Sequence, residues 1–226
     1  MPSVIAVVPQ TPLLVPELAG GAVAELADLR AAVRVAADRL AAASREWVAV
    51  GAGADRRTVH SATGTFRGYG RDVRVSLGTA GEPVPELALP LLIAGHLRPE
   101  GVRIRGELVP DDASTEQCLR LGRELASEPA LLVVGDGAAT HTEKAPGHLD
   151  ERAEPFDAAA AKALEHGDPA ALAELDPGVA RELWAAGRAP WQVLAGAAEG
   201  RAWRAELLYS AAPYGVAYHV AVWTSG

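Results

Sequence analysis

The chain has 226 residues, 49% of them hydrophobic and 22% charged, with a formal net charge of −8. That length holds one large α/β domain or two small ones, and the composition is that of an ordinary globular protein. An acidic balance with no basic block argues against a nucleic-acid partner, and the single cysteine, Cys118, excludes an intramolecular disulfide or a cysteine-rich metal site.

The amino terminus, MPSVIAVVPQTPLLVPEL, is apolar but lacks a positive segment and is broken by prolines. It reads as neither a signal peptide nor a membrane span, so a cytoplasmic protein without a membrane partner is expected. Residues 3–8 read as a first buried strand, stopped by Pro9 and Pro12, which cannot donate to a sheet ladder. From Gly21 to Ala43 the residues Val23, Leu26, Leu29, Val33, Ala37 and Leu40 recur at helical spacing, with Glu25, Asp28, Arg34 and Arg39 off the stripe.

Trp47 to Val50 form a second strand, stopped by Gly51 and Gly53. A polar, Gly-rich loop follows and carries His60. Val73, Val75 and Leu77 alternate with polar residues and suggest a half-buried strand. A helix is expected over Glu86–Leu97, with Pro90 kinking it or marking its first turn. Val102, Ile104, Leu108 and Val109 suggest another strand, antiparallel or at an edge.

Ser114 with Gln117 three residues on has the form of a capping box, and its helix carries Cys118 as a core residue. Phe156–His166 is an alanine-rich helix, short helical pieces follow Asp168 and Asp176, and another helix covers Pro190–Ala198. The tail, Trp203 to Trp223, contains two strand-like runs around Ala212-Pro213-Tyr214-Gly215, a hairpin or meander near the sheet edge. Trp184, Trp191 and Trp203 are read as core residues. Strands alternate with helices and no repeat or composition break intervenes. The expectation is therefore one α/β domain over residues 1–226, with a mostly parallel central sheet flanked by helices.

The stretch that organises this reading is PALLVVGDGAATHTEKAPGHLDERAEPFD, from Pro129 to Asp157. A buried strand ends at Val134, and Asp136, His141, Glu143, Lys144, His148, Asp150 and Glu151 follow within a few residues. In open α/β sheets, ligands bind outside the carboxyl ends of the strands. Gln10, His60 and His141 each follow an apolar strand. If the strands are parallel, these loops open on one edge and converge on a small-molecule cleft. His141 and His60 are the expected catalytic groups, because imidazole exchanges protons or coordinates metal near neutral pH. Gln10, Asp136, Glu143 and Lys144 are the expected substrate contacts. There is no phosphate-cradling glycine motif, no HExxH and no G-x-S-x-G elbow.

The strand ending in VVPQTPLLVPEL, His60 before TFRGYG, the GDGAATHTEKAPGHLDERAEPFD stretch and APWQVLAGA together resemble a LigB-type chain, the catalytic-subunit fold of class III extradiol ring-cleavage dioxygenases. The likeness spans nearly the whole chain and is closer to small LigB-like proteins of high-GC bacteria than to characterised dioxygenases. It implies a non-haem Fe(II) held by two histidines and one glutamate, with open positions for a catechol and O₂. The first histidine position of the family is Gln10 here, the second is His60, the acid–base histidine is His141, and the glutamate position is Gly187.

The ligand set so implied is incomplete, with Zn²⁺ bound weakly through His60 and His141 as the other metal expectation. Two readings follow. One is a divergent LigB-like enzyme, an oxidoreductase by resemblance, working on a small molecule. The alternative is a non-catalytic LigB-fold protein, similar in kind to Memo, that binds a ligand or a protein. A homo-oligomer is compatible with either.

Overall fold

The apolar runs that end at Val8, Val50 and Val134 become three neighbouring parallel strands in the middle of one sheet. The computed structural model describes residues 2–79 and 83–226. In chain order its elements are β1 (Val4–Val8), α1 (Pro16–Ala19), α2 (Ala27–Ala43), β2 (Glu46–Gly53), β3 (Arg57–Val59), β4 (Thr63–Thr65) and β5 (Arg74–Ser76). There follow α3 (Leu89–Leu97), β6 (Arg103–Pro110), α4 (Thr115–Leu125), β7 (Ala130–Val134), α5 (Ala153–His166) and α6 (Pro169–Ala173). The chain closes with α7 (Pro177–Glu182), α8 (Arg188–Ala198), β8 (Trp203–Ala211) and β9 (Tyr218–Ser225).

The main sheet has seven strands in the order β3-β6-β2-β7-β1-β9-β8. β6, β2, β7 and β1 are mutually parallel, and β3, β9 and β8 pair antiparallel at the two sides. Alternate residues along a strand point to opposite faces. Thus Val4, Ala6, Val8, Ala130, Leu132 and Val134 join one core with α2 and α3, while Ile5, Val7, Leu131 and Val133 join a second with α4, α5 and α8. Because both faces are covered, the central strands read as unbroken apolar runs.

The capping box forms as expected. Ser114 Oγ accepts from Gln117 N at 3.3 Å, and Gln117 Oε1 accepts from Ser114 N at 2.8 Å. Asp168 and Asp176 cap α6 and α7 through the N-cap side chain alone, accepting from Ala171 N and Val179 N. α4 and α8 lie in backbone contact because Gly122 and Gly196 face each other's helix. A Cβ at Gly196 would come within 2.2 Å of Leu119 O.

Three expectations are corrected, and a fourth, the half-buried strand at Val75, forms with a partner of its own. The helix expected from Gly21 begins at Ala27, after a 3-10 turn over Gly20–Val23 in which Gly20 takes φ +51; the side chain of Val23 lies outside what is described. The strand through Ile104 and Leu108 is parallel to β2 and one place in from the edge, since β3 covers its outer side. The strand around Val75 pairs with β4 in a separate two-stranded sheet. Trp191 is fully buried and Trp203 partly so, but Trp184 is 59% exposed. Among the described residues no helix is long and apolar enough to cross a membrane.

Candidate functional site

The parallel strands bring β1 and β7 to the same edge, and the chain beyond β7 is sewn down there by its backbone. Gly135 N donates to Val8 O, Gly137 N to Ala217 O at 2.8 Å, Ala139 N to Leu183 O and His141 N to Gly215 O. Asp136, the first polar side chain past β7, takes Gln10 N on its Oδ1 at 2.8 Å, while Gly187 N donates to its carbonyl at 2.7 Å. A sliver of Asp136 stays open to solvent, but its carboxylate is enclosed. Burial pushes it up to about 7, opposed by the Gln10 N–H. Tyr218, at the start of β9, donates its hydroxyl to Thr11 Oγ1 at 3.1 Å, and burial followed by the Asp136 charge pushes it up to about 12.

His141 turns inward from the same loop. Its Nε2 lies 2.6 Å from Asp157 Oδ2, on the buried face of α5. Asp157 also accepts from Ala138 N at 3.0 Å, and its Oδ1 meets Nε2 of His219, on β9, at 3.3 Å. His219 Nδ1 meets Ser210 Oγ at 3.0 Å. Asp157 is 5% exposed and His219 is 2% exposed. With Asp157 as a carboxylate, which only accepts, the two imidazoles are the donors through Nε2–H, and Nδ1 of His141 then has no hydrogen-bond partner among the described residues. This is the arrangement of a general base with its orienting carboxylate.

The other loop charges face outward and pair among themselves. Glu143 meets His148 at 3.0 Å, Asp150 meets Arg152 at 2.6 Å, and Arg152 meets Glu182 at 2.6 Å. Lys144 is exposed on the same stretch. Glu143 and Lys144 therefore do not converge with Asp136 and His141 on one inward-facing site.

His60 is not brought to His141. The chain beyond β2 folds back as β3, antiparallel to β6 with Val59 opposite Gly106, and this carries the exposed His60 toward the amino ends of the parallel strands. Between β3 and β7 lie β6 and β2, so the two chains are about three strand spacings, roughly 14 Å, apart. His60 lines a different groove, with Thr58, Glu86, Leu87 and Leu108.

The three positions that the resemblance assigns to iron do not fit an iron ion. Gln10 is at the β1 end, His60 is on the far side of the sheet, and Gly187 has no room for a side chain. A Cβ there would come within 2.3 Å of the Trp191 ring and 2.8 Å of Asp136 O. Among the described residues no group of three or more His, Cys, Asp and Glu is arranged to hold a metal.

Asp157, His219, Ser210, Thr11 and Tyr218 had no part in the sequence-based site. Their signal was faint: a carboxylate on an apolar helix stripe with Ala160 and Leu164, and a histidine inside an apolar strand. A separate cleft of about 370 Å³ opens beside Trp184, between the turn after β6 and the start of α8; His141 is not among the residues that line it.

No family model and no curated protein matches the chain. Among solved structures, it is similar to the uncharacterized protein JW3007 from Escherichia coli K12, with 16% identity, a TM-score of 0.50, and coverage of 85% of this chain and 92% of that one. At that identity the likeness establishes a shared α/β fold over most of both chains.

Proposed function

We propose that this chain is a divergent LigB-like enzyme, acting in the cytoplasm on a small molecule, that carries the proton-transfer half of class III extradiol chemistry without its iron centre. The observation that supports this reading is Asp157 held between two imidazoles, with His141 presenting its free Nδ1 at the loop beyond β7. In such a step His141 takes a proton from an acidic hydroxyl of the bound molecule. Asp157 stabilises the imidazolium, and His219 with Ser210 fixes the carboxylate in place. The match of His141 to the family's acid–base histidine supports the same role.

The test has two parts. Protein purified without an affinity tag, then reconstituted anaerobically with Fe(II) and exposed to O₂ and simple catechols, is expected to hold no stoichiometric iron and to give no ring-cleavage product. The same protein in D₂O with a panel of phenols is expected to catalyse exchange of ring C–H for deuterium ortho or para to the hydroxyl, by way of the phenolate, and His141→Ala is expected to abolish this without loss of fold. Stoichiometric iron, with ring cleavage lost in His141→Ala, would overturn the proposal. A second reading, a non-catalytic ligand-binding protein of the Memo kind, is favoured by the cleft beside Trp184. It predicts ligand binding that His141→Ala leaves unchanged.

A further inference from the structure

The cleft beside Trp184 has a feature that packing does not account for. Helix α7 ends in a Schellman turn: Ala185 N donates to Ala180 O at 2.8 Å and Trp184 N to Arg181 O at 3.2 Å. The residue in the left-handed position of that turn, usually glycine, is Trp184, with φ +57. A bulky side chain there opposes the backbone preference. The indole does not repay that strain by filling the core, since it is 59% exposed. Strained backbone at an exposed aromatic on a cleft is a pointer to function.

The rest of the cleft is built for charge of both signs. Its floor is apolar, from Pro177, Ala180 and Ala189. Asp111 and Asp112 stand on the turn after β6, and Arg181 stands on α7. None of these three side chains makes an ion pair within 4.0 Å or a side-chain hydrogen bond with another described residue. The turn that carries the two acids is fixed from below: Asp111 N donates to Gly53 O, while the buried Arg188 donates to Asp111 O and Ala113 O at 2.5 Å each. The carboxylates lower the cost of burying the Arg188 cation but form no bond with it, and so keep their own hydrogen-bonding capacity.

We propose that this cleft binds a zwitterion with a short apolar body, a molecule of the α-amino-acid class. Its ammonium meets Asp111 and Asp112, its carboxylate meets Arg181, and its side chain lies on the alanine and proline floor against the Trp184 ring. The volume of about 370 Å³ is in the range of small-molecule sites. Two charges of one ligand satisfy two sets of protein charges that do not reach each other. The inference does not depend on His141 being catalytic.

The experiment is an NMR or calorimetric titration of the full chain with L-leucine, and separately with 3-methylbutylamine and 4-methylpentanoate, each of which keeps one charge. Leucine is expected to bind saturably, and each half-molecule about three- to fivefold more weakly, the size of an exposed ion pair. Asp111→Asn with Asp112→Asn should erase the preference for leucine over the acid, and Arg181→Gln the preference over the amine. Trp184→Gly should leave the melting temperature unchanged or raise it, while weakening leucine about tenfold. His141→Ala should bind leucine as the unaltered chain does, which separates this site from the proton-transfer proposal. Absence of saturable leucine binding, or either half-molecule binding as tightly as leucine, would overturn the assignment.

Discussion

Replacing Asp136 by asparagine tests the electrostatics of the carboxyl edge directly. Asparagine keeps an Oδ1 to accept the Gln10 N–H, now at 2.8 Å, but cannot ionise. In the folded chain burial raises Asp136 from an ordinary 3.8 to about 7. A carboxyl whose folded pKa is raised binds its proton more tightly folded than unfolded. Its contribution to stability is therefore fully present below about pH 4 and is lost as pH rises toward 7. The shift is about three pH units, and each is worth about 1.4 kcal/mol, so ionisation costs up to about 4 kcal/mol, or about 2 once the partial solvent access of the residue is allowed for.

Asp136→Asn should therefore match the unaltered protein within about 1 kcal/mol at pH 4 and exceed it by about 2–4 kcal/mol at pH 8. Urea denaturation at a series of pH values measures this, with equal m-values required so that the comparison concerns stability alone. Other titrating groups are common to both proteins and cancel in the difference. The tyrosinate absorbance of Tyr218 gives a second readout. Asp136 contributes to its raised pKa after burial does, so the variant should titrate below the parent yet above an ordinary tyrosine. Parallel pH–stability curves for the two proteins would refute the argument and place Asp136 in a solvated environment.

Three further outcomes follow from the geometry. Asp157→Asn replaces one of two acceptor oxygens by an NH₂ donor, so one of the two imidazoles loses its acceptor; it should cost about 2–4 kcal/mol and shift one of His141 and His219, not both, off the Nε2–H tautomer, read by denaturation and by imidazole ¹⁵N NMR. Ser114→Ala breaks the capping box of α4 and should cost about 1 kcal/mol, lowering the melting temperature by about 2–4 °C. Gly187→Glu, alone or with Gln10→His, should destabilise by about 3 kcal/mol or more through overpacking and give no gain in Fe(II) affinity by metal analysis.

What could be read from the sequence and what could not divide along physical lines. β1, β2 and β7 are buried on both faces, so their apolar runs and their parallel adjacency were legible, as was the Ser114–Gln117 cap, a local contact. His60 was not. The three residues Arg57–Val59 carry no hydrophobic pattern, and it is their antiparallel pairing with β6 that takes the histidine away from His141. Charge density after β7 misled in the opposite sense. Most of it is solvated mutual pairing, Glu143 with His148 and Asp150 with Arg152, while the loop's partners for inward chemistry come from α5 and β9. Asp157 and His219 are 62 residues apart, and no sequence period relates them.

The region around Gly187 bears on which chemistry the edge can support. Its N–H is spent on Asp136 O, its carbonyl accepts from Trp191 N, and Gly135 approaches so closely that a Cβ there would lie 2.5 Å from Gly187 Cα. The volume a ligating side chain would need is occupied by the Trp191 indole, whose Nε1 is buried without a hydrogen-bond partner. Leaving such a donor unsatisfied costs on the order of 1–3 kcal/mol, a sum the ring offsets by filling the space between α8, β7 and His219, whose ring lies 5.7 Å away. The edge is thus packed shut at the position where a carboxylate ligand would enter. Metal ligation through position 187 would require moving a core tryptophan and the end of β7 together. That crowding, more than the identity of any one missing ligand, argues against an iron ligand at position 187.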